Sequence, residues 1–189
     1  QVFYPDSQAT SQLLSALAQE FVKFPDLQDN GLNPHYAKKF FSVKVLSCHP
    51  SEARGKSSKT NKIEHWGQVI IHRGGLAIDS KKSLLHRALS YSSFLIWLCW
   101  QLIFKVNSRS DQVLVVTNPP FAPLIVWLCS VLKNIINKPI NYTILLHDIY
   151  PDGLIALNKL AVNTPLTKLW MWCNKKAFLK ARYLITLGR

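Results

Sequence analysis

Asn141-Tyr142-Thr143-Ile144-Leu145-Leu146 runs directly into His147-Asp148-Ile149-Tyr150-Pro151-Asp152-Gly153. A short apolar run rich in Ile, Leu, Thr and Tyr predicts a buried strand, so the polar cluster falls just past a strand's carboxyl end. Open α/β sheets place their ligand sites at that edge.

The segments on either side have the same grammar. Asp111 to Thr117 predicts a strand stopped by Asn118-Pro119-Pro120, and Phe121 to Ile136 an apolar helix leading back to Asn141. Beyond Gly153, two helical patches, Leu154 to Leu160 and Leu166 to Leu179, precede a last strand over Tyr183 to Leu187. Toward the start, Ser7 to Phe24 carries Leu13, Leu14, Leu17, Ala18, Phe21 and Val22 at helical spacing, with Asp6 or Ser7 as N-cap. Gln1-Val2-Phe3 reads as the tail of a strand, and the start at Gln1 as that of a truncated chain. Pro25 to Lys39 holds turn signals and suggests no function. Strands are expected over Phe41 to Cys48 and Gln68 to His72, with a polar, basic loop over Ser51 to Asn61 between them. A long apolar helix follows, Leu84 to Val106. Alternation of strand and helix without internal repeats predicts an α/β fold, a Rossmann-like doubly wound parallel sheet forming one domain over 1–189.

At 189 residues and 48% apolar content the chain can bury a core without staples. Cys48, Cys99, Cys129 and Cys173 lie far apart with no CxxC pair, which points to small core residues in a reducing compartment. Net charge is +13, and no acid follows Asp152, whereas Lys159, Lys168, Lys175, Lys176, Lys180, Arg182 and Arg189 all do. A basic end of this kind attracts anionic lipid head groups, nucleic acid or phosphorylated substrates, and an ordinary solvated helix face is the plainer alternative. The unbroken apolar part of Tyr91 to Phe104 is shorter than the roughly 20 residues of a membrane span, and Phe121 to Ile136 holds Pro123 and Lys133. Helices buried against the sheet are expected, with a face dipping into the membrane interface as the alternative.

Known motifs are mostly excluded. Arg54-Gly55-Lys56-Ser57 has Pro50 where a P-loop needs its first glycine. The turn Tyr4 to Thr10 contains no glycine, which argues against a dinucleotide site; Asp6 and the hydroxyls there either cap the helix or bind a hydroxyl-rich ligand. His147 and Asp148 could be metal ligands, a base with its orienting partner, or sugar-binding groups. Two ligands without a third make a poor metal site, and no Ser or Cys stands in a nucleophile elbow. His147, Asp148, Tyr150 and Asp152 crowded together favour a functional role over a structural histidine. The other histidines are scattered and are assigned no role.

Phe3-Tyr4-Pro5-Asp6 with Ala9-Thr10, Val113 to Pro120 (VLVVTNPP), His147 to Asp152 (HDIYPD), the aromatic and basic Leu166 to Ala181, and Tyr183 to Gly188 (YLITLG) occur in an order that resembles the N-terminal domain of family 4 glycosyltransferases. The similarity is greatest to bacterial fucosamine-transferase-like enzymes of surface polysaccharide synthesis. The resemblance implies the N-terminal half of a GT-B fold and retaining sugar transfer from a nucleotide-sugar donor, without metal or other cofactor. It implies His147 as the catalytic residue, and Asp6, Thr10, Asn118, Asp148, Tyr150 and Asp152 as acceptor- or sugar-binding residues. The implied partners are the donor, held by a C-terminal domain expected beyond Arg189, and a glycan or polyprenyl-linked acceptor. Nucleic acid is not among them. The implied location is the cytoplasm, peripheral at the anionic inner face of the plasma membrane. The family has a short Gly-His turn where this chain inserts the stretch from Pro25 to Phe40. By itself the chain would hold half an active site.

Overall fold

A computed structural model of the chain describes residues 3–4, 9–23, 42–49, 61–76 and 83–186. The described elements are α1 (Ala9–Lys23), β1 (Val43–Ser47), β2 (Ile63–Trp66), β3 (Val69–Arg73), α2 (Leu84–Phe104), β4 (Val113–Val116), α3 (Ala122–Asn134), β5 (Tyr142–Leu146), α4 (Asp152–Ala156), α5 (Pro165–Lys180) and β6 (Tyr183–Thr186). They form two compact units, Gln1–Phe94 and Leu95–Arg189.

The first unit holds a three-stranded sheet in the order β1-β3-β2. β1 and β3 run parallel with Val43 opposite Val69, whereas β2 is antiparallel to β3. The sheet is therefore mixed, where a purely parallel one was expected. β2 and β3 join through Gly67-Gln68, and Gly67 has φ +60. A two-residue hairpin with glycine at its first central position meets the demand of a II′ turn. Val69 and Ile71 are buried with Phe3 and Ala18, and Leu14, Val22, Val43, Val45 and Trp66 pack around them. Full burial of each large aliphatic chain contributes about 1.5–3 kcal/mol. α1 turns Ser11, Ser15 and Ala18 inward, while Leu13, expected on the apolar face, is exposed. Small side chains on that face let the helix backbone lie close to β1 and β3.

Arg73, at the carboxyl end of β3, is fully buried and pairs with Glu64 at 2.7 Å. Its guanidinium also donates to Ser47 Oγ at 3.3 Å and to the carbonyls of Cys48 and Tyr4. Tyr4 stacks on Trp66 with ring centroids 4.6 Å apart. Of the expected opening strand only Phe3 lies among the described residues; it is buried but outside any strand.

The second unit holds a wholly parallel sheet in the order β4-β5-β6. Each crossover carries helix, α3 between β4 and β5, then α4 and α5 between β5 and β6. α3 and α5 pack on each other. Val115, Ile144, Leu145, Val126 and Ala177 are buried. The Tyr142 hydroxyl donates to the Ala177 carbonyl at 2.7 Å, joining β5 to α5, and burial pushes its pKa up to about 12. Thr164 caps α5 by accepting the Thr167 N–H at 3.2 Å, with Pro165 following where its missing donor costs nothing.

The long apolar helix α2 is buried on one face only. Phe94, Leu98 and Leu102 are buried, whereas Leu85, Leu89, Ile96, Trp100 and Phe104 are exposed, where a helix buried against the sheet was expected. Among the described residues no helix is long and apolar enough to cross a membrane. Lys133 of α3 is also buried, and its ammonium donates to the carbonyls of Val106 at 2.6 Å and Leu102 at 3.4 Å. Those carbonyls lie at the end of α2, where backbone acceptors lack partners within the helix. The four cysteines are free; Cys129 Sγ lies 3.4 Å from Cys99 Sγ, and burial pushes the Cys129 thiol up to about 12.

Candidate functional site

β4 and β5 are parallel neighbours, so Thr117-Asn118 and His147-Asp148 leave the sheet at one edge. Thr117, itself buried, holds them together: its Oγ1 accepts the backbone N–H groups of His147 and Asp148, each at 3.0 Å. A threonine at this place stands in for the strand partner that the chain loses at its turn. Thr117 was read in the sequence only as a strand end.

The next four residues swing toward α5. Asn174, a buried residue of that helix, donates its side-chain amide to the Tyr150 carbonyl. The Tyr150 ring lies parallel to Trp170 at 6.3 Å, and Trp170 stacks on Phe121 at 4.6 Å. Both Asn118-Pro119 and Tyr150-Pro151 are cis, and Pro151 is buried. Asp152 is the first residue of α4, two residues earlier than the helix expected at Leu154.

Two depressions result. A crevice of about 10 Å³ is lined by Thr117, Asp148, Tyr150 and Asn174 among others. Beside it opens a cleft of about 290 Å³ lined by Tyr150, Pro151 and Asp152 on one side and by Met171, Asn174, Lys175, Phe178 and Leu179 of α5 on the other. That volume lies at the lower end of small-molecule sites. An aromatic ring, a carboxylate, an amide and an ammonium around a largely apolar wall suit a ligand with both hydroxyl and apolar parts.

The structure thus brings together Asp148, Tyr150 and Asp152 of the expected set. His147 is exposed at the same strand end, and Asn118, half-buried, follows Thr117 without lining either depression. Thr10 sits half-buried in the first turn of α1, in the other unit, and Asp6 lies outside the described residues. The α5 wall went unrecognised, although Met171, Asn174, Lys175 and Phe178 recur at i, i+3, i+4 and i+7, the spacing of a single helix face. Among the described residues no three His, Cys, Asp or Glu side chains gather as a metal site.

Comparison with family models, with curated proteins and with solved structures gives no match for this chain.

Proposed function

We propose that the chain is the acceptor-side domain of a retaining glycosyltransferase of the GT-B type, its Rossmann-like sheet facing a donor-binding domain across a cleft. The observation that carries the reading is the cleft itself: Tyr150 and Asp152, from the segment that follows β5, meet Asn174 and Lys175 of α5. Crevices at strand ends are where α/β sheets bind ligands, and the motif order of the sequence resembles that of the family.

In this reading the bond from the sugar's anomeric carbon to the nucleoside diphosphate breaks, a bond to an acceptor hydroxyl oxygen forms on the same face, and the hydroxyl's proton passes to the departing diphosphate. Charge develops on the sugar ring as the leaving group departs. His147, at the exposed strand end, meets the donor sugar and fixes the reacting geometry, a matter of positioning rather than of proton transfer. Asp148 and Asp152 accept hydrogen bonds from acceptor hydroxyls, Tyr150 offers its ring to a sugar face, and Lys175 balances an acidic group on the acceptor. The acceptor is a glycan carried on a polyprenyl diphosphate, met at the cytoplasmic face of the membrane.

Titrating the chain with short-chain polyprenyl-diphosphate saccharides while following tryptophan fluorescence tests this, because Trp170 lies against Tyr150. Saturable binding that weakens at least tenfold in Asp152→Asn and Tyr150→Ala is expected. A response equal for the saccharide, inorganic phosphate and a bare lipid would overturn it. The competing reading, a non-catalytic basic α/β module, draws on the wholly cationic stretch after Asp152; it requires no saccharide-dependent response.

A further inference from the structure

At about 100° per residue, α5 sorts into two unlike faces. Thr167, Asn174 and Ala177 point inward and are buried. Opposite them lies an arc centred on Trp172, with Leu169 and Leu179 beside it and Lys168, Lys175, Lys176 and Lys180 interleaved. This outer face is uncovered: Trp172 is 53%, Leu169 56% and Leu179 71% exposed. The Lys176 ammonium sits over the Trp172 ring, 5.6 Å from its centroid. The ring also meets Trp127 of α3 edge-on at 6.4 Å, and from Trp127 the apolar surface continues to Val131 and Ile135, both exposed.

A solvated helix face does not need tryptophan and two leucines, and a purely electrostatic surface does not need them either. From Leu95 to Arg189 there are eleven Lys and Arg against three Asp. Among those acids Asp148 and Asp152 lie near α5, lining the crevice and the cleft beside Asn174 and Phe178 rather than the outer arc. Apolar side chains mixed with lysines whose stems can lie along the apolar surface match one kind of partner, a bilayer with anionic head groups. Tryptophan prefers the boundary between head groups and acyl chains.

We propose that the outer face of α5, centred on Trp172, docks on an anionic lipid bilayer. Lys175 and Leu179 belong both to this face and to the rim of the cleft. Docking therefore brings the cleft mouth to head-group level, where a lipid-linked acceptor presents its phosphate. That last consequence rests on the transferase reading; the docking does not.

The test is flotation of the full chain with phosphatidylcholine vesicles, with and without phosphatidylglycerol, across a salt series. Quenching of tryptophan by brominated phosphatidylcholine reads insertion in parallel. Binding that needs the anionic lipid is expected, falling about fivefold for each of Lys168, Lys176 and Lys180 changed to Gln. Trp172→Ser should remove most of the bromine quenching and Trp172→Phe should keep the binding, which separates a lost contact from a lost fold. Absence of flotation overturns the proposal. So does binding that mixed-sequence RNA abolishes and that Trp172→Ser and Leu169→Ser leave unchanged, since a cationic polymer site then accounts for everything. No sugar donor or acceptor enters the assay, so its failure and a failure of sugar transfer are read separately.

Discussion

Thr117 accepts the backbone N–H of His147 at 3.0 Å, fastening the residue just past β4 to the residue just past β5. Because the same oxygen also takes the Asp148 N–H, one hydroxyl sets where the whole polar segment begins. Thr117→Val keeps the shape and removes the acceptor. It is expected to cost about 1–3 kcal/mol in urea unfolding, with Thr117→Ser near wild type. Equal stability of all three proteins would mean that the segment is held elsewhere.

Asn174 plays the corresponding part from α5, through the Tyr150 carbonyl. Asn174→Leu fills the space but donates nothing, so Tyr150 should drift from Trp170. The expected signs are a changed tryptophan emission and weaker saccharide binding, with the helix content in circular dichroism kept.

Arg73 and Glu64 form a buried pair in the first unit, with Arg73 Nη2 2.7 Å from Glu64 Oε2. Removing one member of a buried pair costs about 3–5 kcal/mol, most of it from the uncompensated partner. Glu64 keeps some exposure, so Arg73→Met should fall at the lower end of that range, and Arg73→Met with Glu64→Gln should recover part of the loss. A double-mutant cycle by thermal unfolding measures it.

Among the described residues three groups with shifted pKa values, His72, Cys129 and Tyr142, shape the pH response. Burial, with Lys44 and His65 nearby, lowers the His72 pKa from the ordinary 6.5. Below about that pH the unfolded chain binds the proton more readily than the folded one, so stability should fall as pH drops from 6.5 toward the folded value. His72→Gln should flatten that limb. Tyr142 works at the other end: its pKa rises from 10 to about 12, so the folded protein keeps a proton that the unfolded chain loses, and stability should decline between those values. Tyr142→Phe should shrink the alkaline decline, leaving the part that Cys129 contributes from 9 to about 12, while losing about 1 kcal/mol with the bond to Ala177. Unfolding midpoints across pH check both signs.

The second unit was largely legible because its signals agree. Val113 to Val116 and Tyr142 to Leu146 are apolar runs bounded by Asn-Pro-Pro and His-Asp, and α3 lies within two residues of the expected span. β2 escaped notice because Ile63-Glu64-His65-Trp66 has one aliphatic residue, and its pairing depends on the turn at Gly67. The faces of α1 and α2 were misjudged for a related reason. Helical spacing says that an apolar stripe exists, but contact with a sheet decides which side is covered, and close approach put Ser11 and Ser15 inside rather than Leu13. At the candidate site, strand-end position anticipated that Asp148, Tyr150 and Asp152 line neighbouring depressions. Thr117 and the α5 wall depend on partners about 24 to 31 residues away in sequence, beyond the reach of any local pattern.

The central claim is sugar transfer at the edge that carries His147. The most direct measurement joins this chain to a donor-binding domain of the GT-B type and follows labelled sugar from a panel of nucleotide sugars onto polyprenyl-diphosphate-linked saccharide. Transfer with retained anomeric configuration is predicted, with a loss of at least about 10²-fold in His147→Ala at unchanged acceptor binding, the size expected for a positioning group. Transfer from none of the donors, or undiminished turnover by His147→Ala, would contradict the account.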